Sequence, residues 1–306
     1  MNPENINTTV NIAGVSFKNP VMNASGTFGS GMEYYEFVDL NRLGAVVTKG
    51  VAPEPWEGNP VPRITETPSG MLNAIGLQNP GIDVFTERDL GFLSEFNTNV
   101  IVNVCGHSED EYLQVVERLS DDDRVNMLEI NVSCPNVKKG GIAFGTDPKE
   151  LQKITAAVKR KSLKPIIMKL SPNVTSIADM AKAAEAGGAD AVSLINTLTG
   201  MKIDIYKRSF SLANKTGGLS GPAIRPVAVR MVYEASHAVG IPVIGMGGIT
   251  SAEDAIEFIM AGASAVAVGM YNFHDPSAMI KIIDGIGDFL SENHIADINE
   301  IIGCVK

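Results

Sequence analysis

The sequence has very little cysteine. Only Cys105, Cys134 and Cys304 occur in 306 residues, and no two of them form a C-x-x-C pair. We therefore expect neither a disulfide framework nor an iron–sulfur cluster that is ligated by cysteines of this chain. Sparse cysteine is typical of a reducing compartment, which predicts a cytoplasmic protein.

The sequence also lacks long apolar runs and an excess of basic residues. No stretch of about 18 apolar residues occurs, so no transmembrane helix is predicted. The opening residues, MNPEN, have neither the basic region nor the apolar region of a signal peptide. The net charge of −10 argues against nucleic-acid binding, which requires a basic surface.

Several motifs of nucleotide and metal enzymes are missing. The chain contains no G-x-G-x-x-G and no G-x-x-x-x-G-K-[ST], so it has no Rossmann or P-loop fingerprint. Its four histidines have no mutual spacing that is typical of a metal site, and no metal is predicted. No pair of carboxylates follows the predicted strands, which argues against glycosidase chemistry.

What the sequence does contain is an alternation of short apolar runs and helical patterns. Eight runs are almost continuously apolar, as strands buried on both faces should be. The alternation predicts a single (β/α)8 barrel domain over residues 1–306, with an open doubly wound sheet as the structural alternative. A small hairpin at 8–17 is expected to close the bottom of the barrel. Strands are predicted at 20–23, 45–48, 99–104, 127–132, 165–170, 190–195, 242–245 and 263–268, and helices at 108–119, 147–161, 176–186, 224–239, 251–261 and 276–290.

Two connections, 50–81 and 198–221, are too long to be simple turns. Both follow predicted strands, so both belong to the C-terminal face, where barrels hold their active sites. Long loops in a compact domain are usually functional.

Glycines close the last two predicted strands. Gly245-Met246-Gly247-Gly248 ends the seventh strand and Gly269 ends the eighth, and Gly221 ends the second long connection. Glycine lets backbone N–H groups approach an anion. Because the loops after strands seven and eight are the usual phosphate site of a barrel, we expect a phosphate here.

Polar side chains follow most of the other strands. They are mainly amides, with two cations, and they suit a neutral or anionic planar heterocycle whose ring N–H and C=O groups pair with amides. Lys49 or Lys169 could form a Schiff base, as in a barrel aldolase, or could stabilise negative charge on a reduced ring. Periodicity does not choose between these roles. The polar set comprises Ser25, Lys49, Asn73, Asn103, Asn131, Lys169, Asn196 and Thr197.

The fourth predicted strand opens into Asn131-Val132-Ser133-Cys134-Pro135-Asn136. A thiol at the mouth of a barrel strand can act as a base or as a nucleophile. The alternative is a buried core cysteine, which is common for free cysteine.

These motifs together resemble dihydroorotate dehydrogenase over nearly the whole chain. The resemblance rests on 131–137 (NVSCPNV), 58–63 (GNPVPR), 70–81 (GMLNAIGLQNPG), 195–197 (INT) and 245–248 (GMGG). The membrane-bound, quinone-using class has Ser at the base position and an N-terminal extension, so Cys134 and the missing extension indicate the soluble class 1. The runs KKGG at 138–141 and MLNAI at 71–75 are similar to the NAD-linked subclass 1B. The fumarate-using homodimer, class 1A, is the closest alternative.

The resemblance implies FMN in a (β/α)8 barrel and oxidation of (S)-dihydroorotate to orotate in pyrimidine (UMP) synthesis. Cys134 would take a proton from ring C5 while a hydride leaves C6 for the flavin. The substrate would be held by Lys49, Asn73, Ala74, Ile75, Gly76, Leu77, Asn131, Asn196 and Thr197. The flavin would contact Ser25, Lys49, Gly50, Asn103, Asn131, Lys169 and Ile195, and its phosphate would contact Gly221, Gly247, Gly248, Gly269 and the backbone of Met270.

The resemblance also implies a final electron acceptor. NAD is the acceptor of the subclass that the chain resembles, yet the chain has neither a dinucleotide fingerprint nor a cysteine cluster. The nicotinamide site and any electron relay are therefore expected on another polypeptide. The resemblance implies a subunit with FAD and a [2Fe–2S] cluster, joined to a homodimer of this chain as a heterotetramer.

Overall fold

The computed structural model describes residues 6–132 and 144–305, so Cys134 and the 138–141 run lie outside the described residues. In chain order the strands are β1 (Val10–Ile12), β2 (Val15–Phe17), β3 (Val21–Asn23), β4 (Ala45–Val47), β5 (Ile64–Thr67), β6 (Gly70–Asn73), β7 (Asn99–Val104), β8 (Met127–Asn131), β9 (Ile166–Lys169), β10 (Ala191–Leu194), β11 (Leu198–Met201), β12 (Ile203–Asp204), β13 (Ser209–Phe210), β14 (Thr216–Ser220), β15 (Val243–Met246) and β16 (Ala265–Val268). The helices are α1 (Ile82–Val84), α2 (Leu90–Leu93), α3 (Glu109–Ser120), α4 (Pro148–Lys161), α5 (Ile177–Ala186), α6 (Arg225–Ser236), α7 (Ala252–Met260) and α8 (Ala278–Glu292).

The centre of the fold is a closed barrel of eight parallel strands. Their order is β3-β4-β7-β8-β9-β10-β15-β16, and β16 pairs with β3 to close the ring. The predicted (β/α)8 barrel is confirmed, and closure excludes the open sheet. The eight predicted strands coincide with these eight strands because both faces of each are covered, as in the fully buried AVAV of β16. The single-domain assignment over 1–306 stays a prediction.

Helices lie between the barrel strands and begin at residues that the sequence marks. Ser108, Ser176 and Ser251 each precede a helix, and each hydroxyl accepts a bond from the backbone N–H three residues later. Such N-caps satisfy an N–H group that has no partner within the helix. Within the described residues, no helix combines the length and the apolar character that a membrane crossing requires.

The N-terminal hairpin lies at the end of the barrel where strands begin. β1 and β2 pair antiparallel. The side chain of Asn99, the first residue of β7, donates to the carbonyl of Ser16 at 2.9 Å and to that of Gly44 at 3.2 Å. The hairpin therefore packs against the bottom of the barrel, as predicted.

The two long connections contain more regular structure than loops. β5 and β6 come from the first connection and β11 and β14 from the second, and they form an antiparallel sheet of order β11-β14-β6-β5. The pairing joins Asn73 to Gly218 across the two connections. The sequence predicts long loops at this face but not the sheet within them, because pairing between segments so far apart in sequence leaves no local pattern.

Candidate active site

A cavity of about 1350 Å³ opens at the end of the barrel where strands finish. Every predicted site residue within the described ranges lines it. These residues are Ser25, Lys49, Gly50, Asn73, Ala74, Ile75, Gly76, Leu77, Asn103, Asn131, Lys169, Ile195, Asn196, Thr197, Gly221, Gly247, Gly248, Gly269 and Met270. Cys134, the predicted base, is outside the described residues. The sequence places it two positions after Val132, which also lines the cavity.

Several side chains that line the cavity belong to a buried hydrogen-bonded network around Glu129. Lys169 and Glu129 form an ion pair at 3.3 Å, with side chains 5% and 3% exposed. Asn103 Nδ2 donates to one carboxylate oxygen of Glu129 at 2.5 Å, and Ser193 Oγ donates to the other at 2.7 Å. Lys169 also donates to Ser25 Oγ at 3.3 Å. One carboxylate therefore connects residues of four barrel strands and, through Lys169, Ser25, which lies two positions after β3.

Lys49 is a second cation at the same cavity, in a different electrostatic setting. No salt bridge found among the described residues involves Lys49. Burial lowers its pKa below the ordinary value of 10.5, and a smaller contribution from Cys105 opposes this. The positive charges of Lys169 and Arg63 lower the pKa further. A bound carboxylate would supply the counter-charge that Lys49 lacks here.

The amides of the cavity leave hydrogen-bonding capacity for a ligand. The Oδ1 atom of Asn103 is buried and has no partner among the described residues. A buried oxygen without a partner costs free energy, so its position indicates a missing donor. Asn73 Nδ2 makes only a long bond of 3.3 Å to the Gly218 carbonyl. Asn196 also lines the cavity, and its Oδ1 accepts from the backbone N–H of Thr197 at 2.8 Å.

Glycines form the opposite part of the cavity, and their backbone requires them. Gly221, Gly247 and Gly248 have φ angles of 107°, 126° and 81°. A Cβ on Gly248 would lie 2.8 Å from the Gly221 carbonyl oxygen, and a Cβ on Gly221 would lie 2.6 Å from Gly70 Cα. These positions exclude side chains and so expose backbone to the cavity, as a phosphate cradle requires.

The cradle continues into the turn after β16. A short 3-10 helix, Met270–Phe273, begins directly after Gly269. The first N–H groups of a helical turn have no partner within the turn, so the backbone of Met270 can serve an anion. The Met270 side chain itself is buried, 7% exposed, and its Cε lies against Gly221. Met270 therefore contributes backbone rather than side chain.

Sequence reasoning missed several residues of the site. The sequence shows Glu129 only as part of an apolar strand, although a carboxylate two positions before Asn131 faces the same side of β8 and supports the cavity-lining residues Asn103 and Lys169. The antiparallel sheet adds Thr216, Gly217 and Ser220 to the cavity wall, which no local pattern indicates. Asn173 also lines the cavity; it donates to the Thr197 carbonyl and accepts from the Thr199 N–H, both at 3.0 Å, so it fixes the start of β11.

The fold and the site together define an α/β-barrel protein whose cavity suits a planar ligand with a phosphate group. The cavity offers amides and cations on one side and a glycine cradle on the other. Within the described ranges, no group of three or more His, Cys, Asp and Glu side chains is arranged to hold a metal ion.

Comparison with known proteins gives the family. The family model of dihydroorotate dehydrogenase matches residues 7–290. The chain is 67% identical to the dihydroorotate dehydrogenase B (NAD(+)) catalytic subunit of Lachnoclostridium phytofermentans, over 98% of this chain and 100% of that protein. It is 60% identical to the protein of the same name from Alkaliphilus metalliredigens, over 97% of this chain and 98% of that one.

A solved structure supports the same assignment. The crystal structure of the dihydroorotate dehydrogenase of Eimeria tenella, in complex with ferulenol, superimposes with a TM-score of 0.82 and 25% identity, over 97% of this chain and 88% of that one. The chain belongs to the dihydroorotate dehydrogenase family. The resemblance to its NAD-linked subclass, predicted from the sequence, is confirmed.

Proposed function

We propose that this chain is the catalytic subunit of an NAD-linked dihydroorotate dehydrogenase, and that it oxidises dihydroorotate to orotate in pyrimidine biosynthesis with an FMN held in the cavity. The observation that carries the proposal is that the predicted site residues lie together. Predicted substrate, flavin and phosphate residues from every part of the chain line one cavity. When bound, FMN would accept the hydride that leaves the substrate.

The chain's own residues hold the cofactor in two ways. The glycine cradle of Gly221, Gly247 and Gly248 would bind the FMN phosphate through backbone N–H groups, together with Gly269 and Met270. The polar side chains of Asn103 and Lys169 would face the ring system. Lys169 is a cation in a water-poor site, so it would stabilise the negative charge that a flavin gains on reduction.

The substrate would be held by a cation and a set of amides. Lys49 would pair with the substrate carboxylate, which its missing counter-charge favours. Asn73, Asn131 and Asn196 would pair with the amide-like edges of the ring, and Thr197 and the 74–77 segment would complete the pocket. Such fixed contacts place the ring so that its reacting carbon meets the base.

Cys134 would be the general base that removes the proton from C5 of dihydroorotate. The sequence supports this role, because Cys134 follows the cavity-lining residues Asn131 and Val132 by only a few positions. A thiol has an ordinary pKa of about 8.5, so part of it is thiolate near neutral pH.

The electrons would leave through a partner. Relatives carry the name catalytic subunit, which implies a separate partner subunit. We propose that the partner carries FAD and a [2Fe–2S] cluster, and that it binds a homodimer of this chain as a heterotetramer in the cytoplasm. The absence of a dinucleotide fingerprint in this chain supports a nicotinamide site elsewhere.

The two alternatives are not favoured. The relatives named for NAD(+) argue against the fumarate-using subclass. The lowered pKa of Lys49 would by itself suit a Schiff base, but family membership gives no reason to expect one, and Lys169 is held in an ion pair. Borohydride treatment in the presence of a carbonyl substrate should leave neither lysine modified.

The test is the identity of the bound cofactor and its reduction. Purified chain should be yellow, and the extracted flavin should be FMN by mass. Refolded or flavin-depleted chain should bind FMN at least about 100-fold more tightly than riboflavin, because only FMN brings the phosphate to the cradle. Equal affinity for the two flavins, or no flavin at all, would contradict the proposal.

A further inference from the structure

We propose that Glu129 is a positioning residue for the flavin site: it fixes which end of the Asn103 carboxamide is left to accept a hydrogen bond and balances the charge of Lys169. This inference rests on the proposed FMN site. It concerns a residue that would touch neither the cofactor nor the substrate, because Glu129 does not line the cavity while its partners Asn103 and Lys169 do.

The geometry around Glu129 is unusual for a barrel interior, which is mostly filled with apolar side chains. Glu129 is 2% exposed. Its two oxygens accept from three side chains that come from three different strands: Asn103 on β7, Lys169 on β9 and Ser193 on β10. Each contact lies between 2.5 and 3.3 Å. The carboxylate is therefore held from several sides.

The chemistry of a carboxylate then dictates the orientation of Asn103. An ionised carboxylate only accepts hydrogen bonds, so an amide beside it must present its nitrogen. Asn103 does so through Nδ2. Its Oδ1 is left without a partner among the described residues. Glu129 thus leaves the buried carboxamide oxygen as the end of Asn103 that can still accept a hydrogen bond, which suits a ring N–H of the ligand and not a ring carbonyl.

The same carboxylate sets the charge of the site. With Glu129 in place, the Lys169–Glu129 pair carries no net charge, and the favourable field on a reduced flavin is partly offset. Without that carboxylate, the ammonium of Lys169 would act alone on the flavin. A buried ion pair stabilises a fold no better than apolar packing of similar volume, so stability alone does not explain a carboxylate here.

The experiment uses the substitution Glu129→Gln, which keeps the shape of the side chain and removes its charge. A glutamine amide can donate to Asn103, which lets the Asn103 carboxamide turn and place Nδ2 where Oδ1 now lies. We expect FMN to bind about tenfold more weakly or worse to flavin-depleted protein, the effect of one misdirected hydrogen bond. We also expect the reduction potential of the bound FMN to become more positive.

Two further variants separate positioning from general damage. Glu185→Gln is the matched control: Glu185 accepts a bond from the Gly240 N–H, just before β15 and at the far end of the barrel from the cavity. It should change neither FMN affinity nor potential. The double variant Asn103→Asp with Glu129→Gln returns the negative charge and an acceptor at position 103, so it should recover FMN affinity to within about threefold of wild type.

The outcomes are distinct. If wild-type chain binds no FMN, the proposed function fails. If wild type binds FMN and folded Glu129→Gln matches it in affinity within twofold and in potential, the positioning role of Glu129 is overturned. If Glu129→Gln does not fold, the double variant decides: FMN binding near the wild-type affinity supports the role, and binding more than tenfold weaker overturns it.

Discussion

The two sides of the cavity are built by different means. On the side of β7 to β10, the wall is made of side chains on strands, and a buried carboxylate, Glu129, contacts two of them, Asn103 and Lys169. On the side of β15 and β16, the wall is backbone: Gly247 and Gly248 adopt positive φ, and a Cβ on Gly248 would lie 2.8 Å from the Gly221 carbonyl oxygen. With the proposed ligands, the first side would distinguish one ring edge from another, whereas the second would bind an anion.

This difference predicts how each side fails. Substitutions of the residues proposed to act on the substrate, Cys134 and Lys49, should alter chemistry and substrate affinity while the cofactor stays bound. Substitutions on the glycine half should release the cofactor and change the chemistry only through that loss. The following experiments test this separation, from the largest expected effect to the smallest.

Cys134→Ala should give the largest loss. The yellow colour should remain, but turnover should fall by about 10²- to 10⁴-fold, as expected for a lost general base. In the wild type, flavin reduction should quicken as pH rises through the pKa of the thiol, and Cys134→Ser should retain some activity at higher pH. Rapid-mixing measurements of flavin reduction against pH would check this. Near-normal reduction in Cys134→Ala at pH 7 would remove Cys134 from the mechanism.

Gly248→Ala should act on the cofactor instead. The new Cβ would meet the Gly221 carbonyl oxygen at 2.8 Å, and alanine would have to adopt a φ of 81°. Strain of about 1–2 kcal/mol together with the displaced backbone should weaken FMN binding by about 10- to 100-fold. FMN titration of flavin-depleted protein measures this. When saturated with FMN, the variant should regain most of its turnover. If it does not, the glycine side affects the chemistry directly, and the predicted separation between the two sides of the cavity is wrong.

Lys49→Met should leave the cofactor in place and weaken substrate binding. Loss of a charge-assisted bond to a carboxylate costs about 1.5–3 kcal/mol, so KM for dihydroorotate should rise by about 10- to 100-fold. Bound FMN should be unchanged. Steady-state kinetics with a dye acceptor would check the split between KM and kcat. A variant that loses FMN but keeps its KM would place Lys49 on the cofactor alone.

The pH dependence of KM sharpens the role of Lys49. Because burial lowers the pKa of Lys49, the ammonium is lost at a lower pH than for an exposed lysine. KM should therefore be flat below that pKa and rise above it, on the alkaline side. In Lys49→Arg the rise should disappear, since a guanidinium stays charged. A KM profile that is identical in wild type and Lys49→Arg would show that another group titrates.

Gly287→Ala should have the smallest effect, and it should stabilise the protein instead of impairing it. Gly287 lies inside α8, remote from the cavity lining, and a Cβ there would meet nothing within 4 Å. Replacing a helical glycine should stabilise the fold by about 0.5–1 kcal/mol. Thermal unfolding of the flavin-depleted protein measures the gain, and unchanged FMN affinity makes this variant the control for Gly248→Ala.

The barrel and much of the cavity wall could be predicted from the sequence. Barrel strands are buried on both faces, so they appear as apolar runs such as AVAV, and their polar final residues must gather at one end. This pattern alone predicts that Lys49, Asn103, Lys169 and the glycines after β15 lie together, and all of them line the cavity. That Lys49 sets KM, that Cys134 is the base and that the other residues bind the flavin stay predictions.

Other parts could not be read from local patterns. The sheet of β5, β6, β11 and β14 depends on pairing between distant, glycine-rich segments, so no periodicity marks it. The role of Glu129 depends on which strands face it across the barrel interior, and only the register shows that Asn103 and Ser193 do. A single carboxylate within an apolar strand was the available signal.

The most direct measurement is a single turnover without oxygen. Chain loaded with FMN is mixed with dihydroorotate, without a partner subunit or NAD, and the flavin absorption is followed. The account predicts that the flavin band bleaches in one step at a rate at least equal to turnover, with one orotate formed per flavin. A flavin that stays oxidised while dihydroorotate is bound would contradict it.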